Sequence, residues 1–349
     1  MKLAIFLPNW IGDVVMATPT LRALRRQFPA VRIVGVMRPY VADVLAGTPW
    51  LDDQVFFDPR STNRYRRAWS VARQLRAERI DTAVLMTNSW RTGILARMSG
   101  ARERIGYARE GRGWLLTTRL QPPMSRRLRV PTPALDYFLQ LAYALGCRPE
   151  SPQMELAVSS ADVCLAQQAF SRLGVDGRRV VAFNTGGAFG PAKMWPIEYF
   201  ARLAQRIVAE QDASVLVVCG PSERQHAQEI VRLAAHSRVV GLADETPSIG
   251  LTKACITRSR LLVTTDSGPR HFAAALSVPV ITLFGPTDIA WSETHYPRAT
   301  HLQLQLDCQP CQKRVCPLKH HRCMRDLSVD AVYRAVVAEL CREEHAHAA

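Results

Sequence analysis

The sequence predicts an α/β protein built from two doubly wound domains in tandem, and three observations predict it. Short apolar runs alternate with amphipathic helical patterns from the first residues onward. The runs are nearly continuous in Val, Ile, Leu and Ala, as in parallel strands buried on both faces. The alternation breaks down over residues 146–178 and then restarts, so an irregular linker separates two complete patterns.

Residues 2–7 read as a buried strand. Residues 13–28 read as a helix with Val14, Ala17, Leu21, Leu24 and Phe28 on one stripe. A β-branched strand spans 31–37, and shorter strands occupy 55–57 and 81–86. Helices are expected at 65–77, which is rich in Arg, and at 92–99. Residues 109–133 are rich in Gly, Pro and Arg with weak periodicity and read as loop. A helix over 133–145 follows. After the linker a short helix covers 160–173. Strands at 180–183, 214–219, 238–242, 261–265 and 278–284 then alternate with helices at 197–210, 222–235, 248–257 and 269–276. In the first of these helices Ile197, Phe200, Leu203, Ala204, Ile207 and Val208 form one apolar face. A last helix is expected at 328–342, with a frayed tail over 345–349. The domains are therefore placed at 1–170 and 171–327, with 328–349 as a terminal helix. Ligands of such sheets bind at the carboxyl ends of strands, so a cleft between two facing domains is the expected active site.

The 349 residues are 48% hydrophobic and 21% charged, which excludes wholesale disorder. The longest uncharged apolar stretch, 272–285, is too short to span a bilayer and is interrupted by Ser277 and Pro279. The opening apolar run meets Pro8 and Asp13 without a small-residue cleavage site. It reads as a first strand and not a signal peptide, so a cytoplasmic protein is expected. Net charge is +15 and unevenly placed. Residues 1–150 carry 24 Lys and Arg against 11 Asp and Glu, a balance of +13; the rest carry 21 against 19, a balance of +2. Nucleic acid, an acidic membrane surface or a phosphorylated glycolipid would each complement that half, and so would plain solvent around an Arg-rich surface. No recognised nucleic-acid-binding motif accompanies the charge.

Three segments at strand ends carry candidate chemistry. In Pro8-Asn9-Trp10-Ile11-Gly12-Asp13, Asp13 falls at a helix start, where it serves either as a cap or as a general base facing the cleft. The stretch from Asn184 through Thr185, Gly186, Gly187, Ala188, Phe189, Gly190, Pro191 and Ala192 to Lys193 lets the backbone approach a ligand and offers Lys193 to phosphate. It is neither a Walker loop nor a Gly-x-Gly-x-x-Gly fingerprint, and an ordinary glycine-rich turn explains it too. In Thr264-Thr265-Asp266-Ser267-Gly268-Pro269-Arg270-His271, Gly268 reads as a cap and Pro269 as the first helical residue. The free N–H groups of that helix start make an anion site suited to a diphosphate, with Arg270 and His271 adding positive charge. A capped helix without a ligand is the plainer reading.

Five cysteines are scattered as small core residues. Cys308, Cys311, Cys316 and Cys323, with His320 and His321 between them, match either a structural zinc site or reduced packing thiols. No Asp-x-Asp motif implies a divalent metal, and no carboxylate pair implies a glycoside hydrolase.

Over essentially its whole length the chain resembles the ADP-heptose:lipopolysaccharide heptosyltransferases, glycosyltransferase family 9. The resemblance rests on Asn9-Trp10-Ile11-Gly12-Asp13, on Gly190-Pro191-Ala192-Lys193-Met194-Trp195-Pro196, on Asp266-Ser267-Gly268-Pro269-Arg270-His271 and on Phe284-Gly285-Pro286-Thr287. The late cysteine-rich stretch looks like that of the second-heptose members, the heptosyltransferase II group. The resemblance implies a GT-B fold: two Rossmann-like domains facing across a cleft, acceptor on the N-terminal one and donor on the C-terminal one. It also implies a last helix that crosses back to the first domain. The implied activity is inverting transfer of L-glycero-D-manno-heptose from ADP-L-glycero-β-D-manno-heptose to heptosyl-Kdo2-lipid A, with no cofactor. The implied catalytic residues are Asp13 as base and Lys193 against the diphosphate. Thr185, Gly186, Glu223, Asp266, Ser267, Gly268 and His271 would bind the donor. The implied partners are ADP-heptose, the anionic acceptor and the inner face of the inner membrane, with no nucleic acid. A first-heptose or other family 9 transferase, and a non-heptose sugar-nucleotide enzyme on the same fold, are the alternatives.

Overall fold

The computed structural model describes all residues except 126, 127, 176, 178, 188 and 349. The chain divides into two compact units. The first comprises Met1–Ala157 with Ala290–His295; the second comprises Val158–Ile289 with Tyr296–Ala349.

Unit 1 runs β1 (Lys2–Phe6), α1 (Ile11–Met16), α2 (Thr18–Gln27), β2 (Arg32–Met37), α3 (Pro39–Leu45), β3 (Asp53–Phe56), α4 (Ala68–Ala77), β4 (Thr82–Leu85), α5 (Trp90–Met98), β5 (Glu103–Tyr107), β6 (Thr118–Leu120), β7 (Met124–Ser125), β8 (Leu128–Arg129) and α6 (Ala134–Ala144). Its main sheet has the order β3-β2-β1-β4-β5-β6, and every pair in it is parallel. Ala4 and Phe6 of β1, Val34 and Val36 of β2, and Ala83 and Leu85 of β4 point into one core with Val71 and Leu75 of α4. Each such buried Val or Leu contributes about 1.5–3 kcal/mol.

Unit 2 repeats the plan with α7 (Ser160–Arg172), β9 (Val180–Asn184), α8 (Ile197–Glu210), β10 (Ser214–Val218), α9 (Arg224–Ala234), β11 (Val239–Gly241), α10 (Ile249–Thr257), β12 (Leu261–Thr265), α11 (Gly268–Ala275), β13 (Val280–Phe284), β14 (Ala299–Gln303), α12 (Arg322–Arg325) and α13 (Val329–Ala348). Its sheet order, β11-β10-β9-β12-β13-β14, is the order of unit 1 shifted along the chain, again wholly parallel. In both sheets the winding reverses beside the first strand, between β1 and β4 and between β9 and β12. A crevice for ligands opens at the carboxyl ends of strands at such reversals.

Several expected elements need correction. The single helix over 13–28 is two, because Pro19 cannot donate within a continuous helix and instead sits in the first turn of α2. The loop expected over 109–133 contains β6, the edge strand of the first sheet, a three-residue element with no fully buried position and hence no apolar signal. The corresponding edge strand of the second sheet, β14, is partly exposed along its length and was not foreseen either. The first unit ends at 157 and not at 170. Helix α7 belongs to unit 2, where Ala166, Ala169 and Phe170 pack with Val180, Leu216 and Leu251. Helix α13 also belongs to unit 2, with Val332, Tyr333, Val336 and Leu340 in the core beside α8, where the resemblance implied a return to the first domain. It stays helical through Ala348, four residues into the stretch expected to fray; Ala349 lies outside the described residues.

Candidate functional site

Each reversal point carries one cluster of functional groups. In unit 1 the turn after β1 and the turn after β4 border an open groove of about 400 Å³, a volume suited to a sugar. Asn9, Trp10 and Asp13 line it from the first turn, Thr87, Asn88 and Ser89 from the second, and Arg109, Arg129, Tyr137 and Trp291 complete it.

The first turn is held in place by Arg38, whose Nε donates to Asn9 Oδ1 at 3.2 Å, and by Tyr40, whose hydroxyl donates to the Asn9 carbonyl. The second is held by the buried Arg112, which donates to the Ser89 carbonyl at 3.2 Å and to Asn88 Oδ1 at 3.3 Å. Tyr137 stacks on Tyr107 with centroids 3.6 Å apart and donates to the same Asn88 oxygen at 3.2 Å. Arg129 lies 4.4 Å over the ring of Trp291.

Asp13 occupies the third position of α1, and Trp10, not Asp13, stands at the helix cap. Its carboxylate makes no hydrogen bond or ion pair with any described residue, which removes the capping explanation offered by the sequence. Burial against the helix pushes its pKa up to about 6. A half-buried, unpartnered carboxylate that lines a groove and titrates near neutrality has the properties of a general base.

In unit 2 the corresponding turns follow β9 and β12. Lys193 is brought in by the short turn Pro191–Lys193, and that turn is anchored on both sides. Gly190 has φ +147°, and a Cβ there would lie 2.6 Å from the Arg314 carbonyl, so only glycine fits. The Ala192 N–H donates to that carbonyl at 3.0 Å. Two residues beyond Lys193, the buried Trp195 donates its indole N–H to the Leu327 carbonyl at 2.9 Å and meets Phe200 edge-on. The Lys193 ammonium stands 4.4 Å over the Phe189 ring and donates to Asp266 Oδ2 at 2.5 Å and to the Asp266 carbonyl at 3.0 Å.

Asp266 is the hub of the cluster. Arg270 reaches its other oxygen at 3.3 Å, and Thr287 donates to Oδ2 at 2.8 Å. Burial alone would raise this carboxyl, but the charges of Lys193 and Arg270 and the hydrogen bonds from Lys193 and Thr287 outweigh burial and hold it at about 2. Asp266 therefore positions Lys193 and Arg270, with its own oxygens engaged by protein groups.

Helix α11 begins at Gly268 with Ser267 as its cap and Pro269 in its first turn, one residue earlier than the sequence suggested. The Ser267 hydroxyl does not cap the helix. It donates to Asn184 Oδ1 at 2.9 Å, which ties the turns after β9 and β12 together and leaves the helix start open. Ser267 also lies 3.1 Å from where a Gly187 Cβ would be; Ala188 lies outside the described residues. The expectation that Arg270 and His271 add free positive charge is corrected. Arg270 is 2% exposed and bound to Asp266. Burial first, and then the Arg270 charge, pushes His271 well below the usual imidazole range, so it is neutral. His271 Nδ1 and Thr185 Oγ1 are both buried without a hydrogen-bond partner among the described residues.

Glu223 lies over Gly186, where a Cβ would fall 2.3 Å from Glu223 Cγ, and its carboxylate accepts the Gly220 N–H at 2.6 Å. Gly186→Ala is expected to push the Glu223 side chain off Gly220 and cost about 1.5–3 kcal/mol, the range for a hydrogen bond to a charged group. A urea-unfolding cycle with Glu223→Ala checks it: the two losses should fall well short of additivity. Full additivity would mean that Gly186 tolerates the methyl by another route.

Thr185, Gly186, Lys193, Glu223, Asp266, Ser267, Gly268 and His271 thus all belong to one cluster in unit 2, and Asp13 belongs to the groove of unit 1. The sequence gives no role to Asn184 and Thr287 within the segments that contain them, and no signal for Arg109, Arg129 and Tyr137. Thr287 closes the Phe284-Gly285-Pro286-Thr287 block, a signal noted but not connected to Asp266. Burial and the neighbouring Cys311, Cys316 and Cys308 push the Cys323 thiol up to about 11, so the fold brings the four cysteines near one another; among the described residues no three His, Cys, Asp or Glu side chains are grouped to hold a metal ion.

The chain matches lipooligosaccharide heptosyltransferase 2 of Campylobacter jejuni at 25% identity over 335 residues, covering 95% of this chain and 96% of that protein. Its identity to lipopolysaccharide heptosyltransferase 2 of Escherichia coli is 26% over 362 residues, with 99% and 100% covered. The solved structure of E. coli ADP-heptose lipopolysaccharide heptosyltransferase II superimposes with a TM-score of 0.81 at 23% identity, covering 99% of this chain and all of that one. That likeness assigns the GT-B fold. The sequence model of glycosyltransferase family 9 (heptosyltransferase) matches residues 68–322, most of the length, and with that match the chain belongs to glycosyltransferase family 9, the heptosyltransferases.

Proposed function

We propose that this family 9 glycosyltransferase moves L-glycero-D-manno-heptose from ADP-L-glycero-β-D-manno-heptose to heptosyl-Kdo2-lipid A, the second heptose of the lipopolysaccharide inner core. The observation that carries the reading is the unpartnered Asp13 carboxylate, with a pKa of about 6, in the groove at the first reversal point. Asp13 takes the proton of the acceptor hydroxyl as its oxygen attacks the anomeric carbon. The bond from that carbon to the β-phosphate oxygen breaks, ADP departs with the electron pair, and the configuration inverts. Lys193 and the N–H groups of Ser267 and Gly268 take up the charge developing on the diphosphate. His271, neutral, assists there as a hydrogen-bond donor. Thr185 and Gly186 line the diphosphate and Glu223 binds ribose or adenine. Asp266 contributes by fixing Lys193.

The second-heptose assignment is supported by relatives of that name matched end to end. Unit 1 takes the acceptor and unit 2 the donor. The +13 balance of residues 1–150 suits an anionic acceptor and a cytoplasmic protein held at the inner face of the inner membrane. No helix among the described residues is long and apolar enough to cross a membrane.

Mixing the protein with ADP-heptose and heptosyl-Kdo2-lipid A is expected to release ADP, and Kdo2-lipid A alone should release far less. Chelation with EDTA is expected to leave the rate unchanged, because charge on the diphosphate is met by Lys193 and backbone N–H groups. Release with neither acceptor would sink the assignment, and a rate abolished by EDTA and restored by Mg²⁺ would sink the metal-free reading.

A further inference from the structure

Residues 59–77 contain six arginines and not one Asp or Glu. They form the turn Arg64–Arg66 and helix α4. The helix buries Val71, Ala72 and Leu75 against the sheet. Its opposite stripe, at spacings of four and three residues, is Trp69, Arg73 and Arg76, all exposed. Trp69 is 74% exposed and Tyr65, one turn before it, 66%. Large aromatic side chains left this open contribute nothing to the core of unit 1. The Arg64 guanidinium lies 5.1 Å over the Tyr65 ring and donates to its hydroxyl at 3.2 Å, and Arg67 donates to the Ser61 carbonyl at 3.4 Å. None of Arg64, Arg67, Arg73 and Arg76 forms an ion pair with a described carboxylate. Their charge is therefore uncompensated among the described residues.

We propose that the outward stripe of α4, together with the Arg-rich turn before it, is the surface by which unit 1 docks on an anionic lipid bilayer. Charge complementarity selects an anionic occupant, and the aromatics narrow the choice. Trp and Tyr settle at the boundary of headgroups and acyl chains, where an apolar ring and a polar edge are both satisfied. Arginines beside them are drawn to anionic headgroups within a Debye length of the surface. A helix face bearing both is built to lie on a membrane and not to cross it. The inference rests on the proposed function insofar as that acceptor is a lipid, and it adds which side chains meet the bilayer.

The test uses the full chain, vesicles of phosphatidylcholine with or without phosphatidylglycerol, and the triple variant Trp69→Ser, Arg73→Gln, Arg76→Gln. The wild type should sediment with the phosphatidylglycerol vesicles only, and about 0.5 M salt should release it. The variant should partition about thirtyfold more weakly, at about 1 kcal/mol for each arginine removed. It should release ADP from ADP-heptose at the wild-type rate on an acceptor stripped of its acyl chains, and more slowly on the same acceptor embedded in vesicles. Arg73→Glu alone, a single exposed change that leaves the buried stripe intact, should weaken partition in the same direction. Equal binding by variant and wild type, or equal binding to both vesicle types, would overturn the proposal. So would wild-type binding to duplex DNA, lost in the variant, with none to vesicles. If neither protein turns over the stripped acceptor, the functional reading fails, while the sedimentation result still decides this one.

Discussion

Replacing Asp13 by Asn is expected to lower kcat by about 10²–10⁴, the usual contribution of a positioned general base, with little change in the KM for ADP-heptose. The same change is expected to stabilise the protein near pH 7. The Asp13 carboxyl titrates at about 6 in the folded chain against an ordinary 3.8. Between those values the native state holds a proton that the unfolded state has lost, so stability falls as pH rises through that window, and above about 6 the full cost is present. Asn escapes this cost. The variant should be more stable at pH 7 by on the order of 1–3 kcal/mol, an upper range because the carboxylate is not fully enclosed, and the gain should vanish below about pH 4. Wild-type kcat should fall as pH drops through about 6, when the base is protonated. Denaturant unfolding at pH 4 and 7, beside kcat at both, separates the effects. A variant that loses activity and stability together would show Asp13 to be structural.

That combination was half legible in the sequence. An Asp at the start of a helix after a strand is as easily a cap as a base, and spacing cannot choose between them. The fold removes the cap, because Trp10 takes that position and the Asp13 carboxylate meets no partner among the described residues; the base is our proposal. The strand–helix alternation predicted both sheets well wherever strands were wholly buried and mostly apolar, as in β9, β10, β12 and β13. It missed β6 and β14, whose half-exposed residues carry no continuous apolar run. The residues proposed to bind phosphate lie in segments the sequence marks as glycine-rich and Asp-Ser-Gly-Pro at strand ends. Their division of labour was not legible there, since the pairing of Lys193 and Thr287 with Asp266 joins three strand ends distant in sequence. The charge on His271 was misjudged for a similar reason: burial, which no local pattern reveals, decides it.

The Lys193 prediction tests whether that cluster is catalytic or merely cohesive. Lys193→Met keeps most of the side-chain volume and removes the charge. If Lys193 stabilises the departing diphosphate, kcat should fall by about 10²–10³, as when one oxyanion-stabilising donor is lost. Asp266 would lose one of its two cationic partners and keep Arg270 and Thr287. Removing one partner of a nearly buried pair costs about 3–5 kcal/mol when nothing replaces it, and Arg270 should hold the loss toward or below the low end of that range. The pH dependence follows from the Asp266 carboxyl, held at about 2 against an ordinary 3.8. Its contribution to stability, on the order of 2 kcal/mol, is present above about pH 4 and disappears as pH falls through 2. Without the Lys193 charge the folded pKa rises toward the unfolded value, so that contribution shrinks and acid unfolding should begin at higher pH. Stability alone cannot then separate the two roles, because either predicts a weaker fold. The separating measurement is ADP binding by calorimetry beside kcat in Lys193→Met and in Thr287→Val, which also strips a hydrogen bond from Asp266 but leaves the ammonium. A catalytic lysine predicts that only Lys193→Met loses ADP affinity and turnover, even at a temperature where both variants are folded. If the two variants lose turnover in proportion to their stability, Lys193 serves the fold and the charge on the diphosphate is met by the start of α11 alone.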